Sequence, residues 1–282
     1  MGRPLVAVAT GDPAGIGPEV SLRAATRKEV REACRTLLVG DRWVLEYHAR
    51  RLGIAWGGIE LWDLPNVYTG EYQPGRPDEA SRAAGAEYLE AALEAVQRKA
   101  ADAVCAGPLG FGATLPAELT EAELIAQLTG TALAATARVK GGLRVLLPAG
   151  PAGPAGSEPE EEAAGRLADL GRRFLAALGI PGGRVEAVGR VLAEEAFRRL
   201  RAGECDLLVA DQGTERYLPA ELAPGGAAAT VPLGPAVPCV VAGPTAAAVG
   251  APSEAGMAEA LGLAARLADG WRWLVGGQPR AR

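Results

Sequence analysis

The chain has 282 residues, with 29 Lys and Arg against 34 Asp and Glu, a formal net charge of −5, and 49% hydrophobic residues. This composition suits a globular protein with apolar mass for one large core or two smaller ones, and its acidic balance, with no Lys/Arg cluster to neutralise phosphates, argues against nucleic-acid binding. The lone histidine, His48, excludes any mechanism that needs several imidazoles from one chain, while Cys34, Cys105, Cys205 and Cys239 are too scattered for a zinc ribbon or a disulfide framework.

In chain order, Leu5–Thr10 reads as a buried strand and Pro18–Cys34 as a helix with proline in its first turn. Thr36–Gly40 is a second strand, followed by a helix from Asp41 to Leu52 with Asp41 as its N-cap. Asp78–Ala100 is a long helix that leads into a strand at Asp102–Ala106, and Thr120–Thr129 is a further helix. Then come a strand at Leu143–Leu147, a helix at Glu158–Leu178, a strand at Arg184–Val188, a helix at Val191–Arg201 and a strand at Asp206–Ala210. A helix at Glu254–Ala268 follows. Strands separated by helices of this length predict an α/β fold with a largely parallel sheet covered on both faces.

The stretch from Leu222 to Ser253 carries no charge and is long enough to span a bilayer, yet it contains Pro224, Pro232, Pro235, Pro238, Pro244 and Pro252. Repeated proline removes backbone donors that lipid cannot replace, so the expectation is buried strands and turns. The apolar run near Met1 is too short for a signal-peptide core, which predicts a cytoplasmic protein without a membrane partner.

In open parallel sheets, ligands collect at the carboxyl ends of strands. Four segments fall there. The first, Thr10-Gly-Asp-Pro-Ala-Gly-Ile-Gly-Pro-Glu19, is a glycine-rich strand-to-helix turn whose amides suit an anion or a dinucleotide phosphate, which makes Gly11, Asp12, Gly15 and Gly17 candidate cofactor-binding residues. It lacks both the third glycine of the dinucleotide fingerprint and a Walker lysine, and a tight strand-to-helix connection is the competing reading. The others are Ala106-Gly-Pro-Leu-Gly-Phe-Gly112, Leu119-Thr-Glu121 and Asp211-Gln-Gly213. Asp211 and Glu121 are candidate acid–base groups, and Asp211 equally suits an Asx-type turn. His48, with Val44, Leu45 and Leu52 around it, reads as a structural histidine. Asp12, Asp41, Glu121 and Asp211 could offer oxygens to a divalent ion only in an unusual arrangement.

Taken together, these segments resemble the 4-hydroxythreonine-4-phosphate dehydrogenase family. Residues 10–19 look like its opening signature, and Leu38-Val-Gly-Asp41 is similar to its second strand and turn. Ala106-Gly-Pro-Leu109, Leu119-Thr-Glu121 and Ala210-Asp-Gln-Gly213 stand where the family has Pro-Ile/Val-x-Lys, Gly-His-Thr-Glu and His-Asp-Gln-Gly. The resemblance implies a two-domain α/β/α fold like that of isocitrate dehydrogenase, a homodimer with a cleft completed by the partner subunit, and NAD(P)-dependent oxidation with decarboxylation assisted by a metal on three histidines. It also implies that Thr120, Gln212 and Thr245 are substrate-binding residues. By this placement, residues 1–112 with 245–282 form one domain and 113–244 the other.

The departures are specific. The motif's histidine falls on Ala210, the Pro148–Gly156 loop has none, and Glu118-Leu-Thr-Glu121 replaces Gly-His-Thr-Glu. The lysine position holds Gly110 or Phe111. No metal is therefore expected. Three expectations follow: a non-catalytic or small-ligand-binding homodimer, an oxidoreductase that uses NAD or NADP on another small hydroxy acid through Asp/Glu groups, or a heteromeric partner of a full-length paralogue.

Overall fold

A computed structural model describes residues 2–55, 59–70, 72–108, 120–149, 160–188, 193–210, 217–223, 228–235, 237–242 and 253–274. The amino-terminal half alternates strands and helices: β1 (Leu5–Ala9), α1 (Gly17–Thr26), α2 (Lys28–Ala33), β2 (Arg35–Gly40), α3 (Arg42–Leu52), β3 (Glu60–Asp63), α4 (Glu79–Gln97) and β4 (Ala103–Ala106). The remainder adds α5 (Glu121–Leu128), β5 (Ala135–Lys140), β6 (Leu143–Pro148), α6 (Glu160–Ala177), β7 (Val185–Val188), α7 (Ala193–Arg201) and β8 (Leu207–Ala210). It ends with β9 (Ala229–Leu233), β10 (Cys239–Val241) and α8 (Glu254–Leu274).

The strands form one ten-stranded sheet in the order β3-β2-β1-β4-β10-β9-β5-β6-β8-β7. The run from β3 to β10 is parallel throughout. Pairing turns antiparallel at β10–β9, β9–β5 and β5–β6, then parallel again through β8 and β7. A mixed, mostly parallel α/β sheet is thus the architecture that the alternation of elements predicts.

Period-two alternation sorts the strand residues between layers. Val6 and Val8 of β1 face a core with Leu22, Leu45, Leu261 and Leu267, whereas Ala7 and Ala9 face Tyr88, Leu89 and Leu93 of α4. Across the sheet, Leu146 and Val209 join the first of these cores, and Val145 and Leu208 meet Phe197 and Leu200 of α7 in a third. One face therefore carries a core that is continuous over the whole sheet, and the other carries two separate ones.

Several local expectations change. Pro18–Cys34 is two helices, because Arg27 adopts extended backbone (φ −65°, ψ 140°) and pairs its side chain with Glu29 and Glu254 instead of continuing the turn. Asp41 precedes α3, but its side chain makes no cap hydrogen bond. β3 and β5 are additional strands, and β9 and β10 are the buried strands expected between Leu222 and Ser253. Among the described residues, no helix is long and apolar enough to cross a membrane.

Candidate functional site

The carboxyl ends of β1, β2 and β4 meet at one place. After β1, Thr10 donates from both its N–H and its hydroxyl to the Val39 carbonyl, at 3.2 and 3.1 Å. Asp12 N–H donates to the Pro108 carbonyl beyond β4 at 3.1 Å, and Gly107 N–H to the Ala9 carbonyl at 2.8 Å. The glycines let these backbones approach. A Cβ on Gly11 (φ +75°) would stand 2.1 Å from the Pro108 carbonyl oxygen, and one on Gly17 would stand 2.0 Å from that of Thr10. Gly15 is different: its nearest neighbour, the Asp12 carbonyl oxygen, would be 3.3 Å away.

Much of the anion cradle expected here is filled by the chain itself. Ala14 N–H donates to Asp12 Oδ1 at 2.9 Å, and Gly15 N–H to the Asp12 carbonyl at 3.0 Å. Pro13 has no N–H, so the turn's own carboxylate occupies part of the cradle a phosphate would need. Asp12 is only 1% exposed, and its Oδ2 has no hydrogen-bond partner. Burial raises its pKa, opposed by the Ala14 N–H, the Ser81 hydroxyl and the Arg82 guanidinium. Ser81 and Arg82 lie in the first turn and a half of α4, and Gly85, whose Cβ would stand 2.9 Å from the Asp12 amide nitrogen, lets that helix rest on the turn. Arg82 Nε is also buried without a partner.

Asp41 is committed elsewhere. Its Oδ2 accepts the amides of Asn66 and Val67, each at 3.1 Å, and the Tyr88 hydroxyl. Through Oδ2 it anchors the chain after β3, while Oδ1 is buried without a hydrogen-bond partner, and burial raises its pKa against these bonds. His48 is buried in α3 with Nε2 2.9 Å from the Tyr72 hydroxyl, which donates to the Pro13 carbonyl at 3.0 Å.

Thr120 and Glu121 sit at the start of α5. Thr120 is its N-cap, accepting from Glu123 N–H at 3.3 Å and donating to Glu123 Oε2 at 2.7 Å, so its hydroxyl is spent on a capping box. Glu121 is 7% exposed, and its carboxylate adds to burial, the larger cause, in opposing ionisation of the Cys239 thiol on β10. Asp211, Gln212 and Thr245 lie outside the described residues. Tyr72, Ser81, Arg82 and Gly85 escape sequence reasoning because no motif spacing links them to residues 10–17; the helix-start pattern Asp78-Glu-Ala-Ser81 was the available signal.

Among the described residues, no three His, Cys, Asp or Glu side chains gather as a metal site. Ala210, where the resemblance places a metal-binding histidine, is a buried methyl among Val145, Leu147 and Leu208. A donor set of one histidine, itself bonded to Tyr72, does not fit a three-imidazole centre.

Fold and site define a mixed, mostly parallel α/β protein with its candidate groups at the carboxyl ends of β1, β2 and β4. No protein-family model matches this chain. A Symbiobacterium thermophilum protein named "Putative D-threonate 4-phosphate dehydrogenase" is 32% identical over 161 residues, covering 51% of this chain and 48% of that protein. A Desulfosudis oleivorans 4-hydroxythreonine-4-phosphate dehydrogenase is 44% identical over 73 residues, which is 26% of this chain and 21% of that protein. The match to the first of these relatives spans 48% of its length, about half. The 4-hydroxythreonine-4-phosphate dehydrogenase of Burkholderia phymatum superposes with a TM-score of 0.68 at 23% identity, covering 95% of this chain and 99% of that one. A Staphylococcus aureus EutD phosphotransacetylase shares the fold more distantly, with a TM-score of 0.55 at 12% identity over 94% of each chain. This chain is similar in sequence, over about half its length, to proteins named as 4-phosphate dehydrogenases of D-threonate, and in fold to a 4-hydroxythreonine-4-phosphate dehydrogenase. The transacetylase likeness makes plain that the fold alone does not specify a reaction.

Proposed function

We propose that this chain is a diverged relative of the NAD(P)-dependent 4-hydroxythreonine-4-phosphate dehydrogenases that retains their scaffold without their metal-assisted oxidative decarboxylation. It acts as a small-ligand-binding or non-catalytic subunit. The observation that carries this reading is the lone histidine in 282 residues, with Ala210 buried where a metal ligand is implied. Losing a Lewis acid that stabilises an alkoxide by several kcal/mol slows such chemistry by several orders of magnitude. The test is steady-state turnover of 4-hydroxythreonine 4-phosphate with NAD and a divalent cation. No turnover above background is expected, and ordinary dehydrogenase rates would overturn the reading.

A second reading, an NAD(P)-dependent oxidoreductase on another small hydroxy acid, draws support from the buried, half-satisfied Asp12 and from Glu121 at the start of α5. On this reading Asp211 and Glu121 serve as acid–base groups, Gln212 and Thr245 contact substrate, and NAD or NADP lies on Gly11–Gly17. Calorimetry with both nucleotides decides it, since absence of heat with either removes the reading. In both readings the chain divides at 112/113 and 244/245 into two lobes, pairs as a cytoplasmic homodimer or with a full-length paralogue, and the pairing is checked by native mass spectrometry.

A further inference from the structure

The connection between β3 and α4 runs from Leu64 to Asp78, with no helix or strand among its described residues, a length at which compact domains put loops to use. Its beginning is firmly fastened. Leu64 N–H donates to the Gly40 carbonyl at 3.1 Å, two amides reach Asp41, and the Trp43 indole N–H donates to the Val67 carbonyl at 3.1 Å. Its second half lies over the glycine-rich turn. Among the described residues it is joined to that turn by two hydrogen bonds: Tyr72 hydroxyl to the Pro13 carbonyl at 3.0 Å, and Gly75 N–H to the Ala14 carbonyl at 2.7 Å. Gln73 through Ala80 are exposed.

Proton counting fixes the direction of the first tie. A tyrosine hydroxyl has one proton, and a carbonyl can only accept, so the Tyr72 proton is spent on Pro13. His48 Nε2, 2.9 Å away, must therefore donate to Tyr72, which assigns the neutral Nε2–H tautomer. Nδ1 is left buried without a partner. Around the His48 ring stand the Tyr47 ring, with centroids 5.2 Å apart, the Tyr72 hydroxyl at Nε2, Arg51 on the same helix and Glu19 on α1, whose carboxylate is held by Arg23 and Arg51. A second proton on His48 would sit at Nδ1 with no acceptor. Burial and Arg51 both oppose it, more than Glu19 favours it.

We propose that the stretch from Tyr72 to Pro77 is a lid over the carboxyl-end site, latched by the Tyr72 hydroxyl between His48 and Pro13, and that protonation of His48 releases it. With the latch closed, the lid supplies the donors for the Pro13 and Ala14 carbonyls and covers the Asp12 side. Released, it bares these acceptors to a ligand rich in hydroxyl or ammonium donors. The sign is set by the closed-state imidazole, which binds its second proton less readily than the open one. Closure is complete above the ordinary histidine range of about 6.5 and is lost as pH falls below it. No cofactor enters this inference, so its failure and that of the functional reading are separable.

The experiment is hydrogen–deuterium exchange of the full chain, with protection of the Gly75 amide corrected for intrinsic rates and compared at about pH 7.5 and about pH 5.5. In the wild type, protection is expected to fall roughly tenfold at the lower pH, the scale of losing a hydrogen-bonded tie. Tyr72→Phe should exchange fast at both values. His48→Gln, which keeps an N–H donor near Nε2 but does not titrate, should stay protected at both. Equal wild-type protection at the two pH values, or a pH response that survives in His48→Gln, overturns the proposal. Should Tyr72→Phe fail to fold, the comparison of wild type with His48→Gln still decides.

Discussion

At the residue scale, the glycine-rich turn separates two roles that a motif merges. Gly11 and Gly17 are demanded by the protein's own backbone, because a methyl at either would lie about 2 Å from a carbonyl oxygen. Gly17→Ala must push α1 away from Thr10, and overpacking of this kind costs about 1–3 kcal/mol, read as a melting temperature lower by roughly 5 °C. Gly15→Ala has only a 3.3 Å approach to absorb, without a positive φ, so its stability should hold to within about 1 kcal/mol. If NAD(P) lies on the turn, calorimetry will find binding weakened in Gly15→Ala while its melting temperature stays near that of the wild type. Nucleotide affinity unchanged in that variant removes Gly15 from the cofactor site. The sequence displays these glycines plainly, but that Gly11 serves the chain depends on Pro108, far away along it, and that Gly17 does depends on how the turn folds back on Thr10.

Asp41 carries a second residue-scale prediction, and its sign follows from burial. Its folded pKa is raised, so the stability linked to it is fully present below the unfolded value of about 3.8 and is lost as pH rises through the folded pKa. Asp41→Asn keeps an oxygen that can accept from Asn66, Val67 and Tyr88 while removing the buried charge. Subtracting its melting curve from that of the wild type at each pH should therefore show the wild type losing ground from acid toward neutrality. A flat difference would mean that Asp41 does not titrate in the folded range. Asp41→Ala, which strands all three donors, should cost about 2–4 kcal/mol at neutral pH.

At the scale of elements, helices were legible and some strands were not. Asp78, read from the sequence as the first residue of a long helix, is the N-cap of α4, accepting Ser81 N–H at 2.8 Å while Ser81 Oγ accepts Asp78 N–H at 3.0 Å. Asp78→Ala should cost about 1 kcal/mol and, because Ser81 also faces Asp12, should loosen the start of the helix where it meets the turn. Exchange confined to the first turn of α4 checks it; unchanged exchange there would show the box to be idle. β5 escaped because Arg138 lies in the middle of the sheet, and only tertiary structure reveals that its guanidinium is spent on the Leu222 and Ala223 carbonyls. β3 is four residues at the sheet edge, too short for a periodic signal. The latch is illegible for a related reason: nothing in the spacing of His48 and Tyr72 announces that they are hydrogen-bonded.

At the scale of the whole molecule, the two-lobed division and the continuous sheet make different demands. One face of the sheet carries two cores, but they do not follow that division, because Leu124 and Ile125 of α5 and Cys239 and Val241 of β10 join the α4 core while α7 has its own. The other opposes it, since a single apolar layer runs from Val6 and Leu38 to Leu146 and Leu207 under α8. That helix packs on α1, α2 and α6 and on strands from both halves, and Gly270 lets it touch α6, because a Cβ there would stand 2.0 Å from the Ala177 carbonyl oxygen. Coupling through this layer should make unfolding one cooperative event. In urea, amide exchange in Leu5–Ala9 and in Leu143–Pro148 should then report the same midpoint, within roughly 0.3 M. Gly270→Val should wedge α8 from α6 at a cost of about 1–3 kcal/mol and draw the two midpoints apart, with Leu143–Pro148 losing protection first because α6 covers that half. Two midpoints already present in the wild type would assign the cooperative unit to each lobe and leave α8 as a cover, not a coupler.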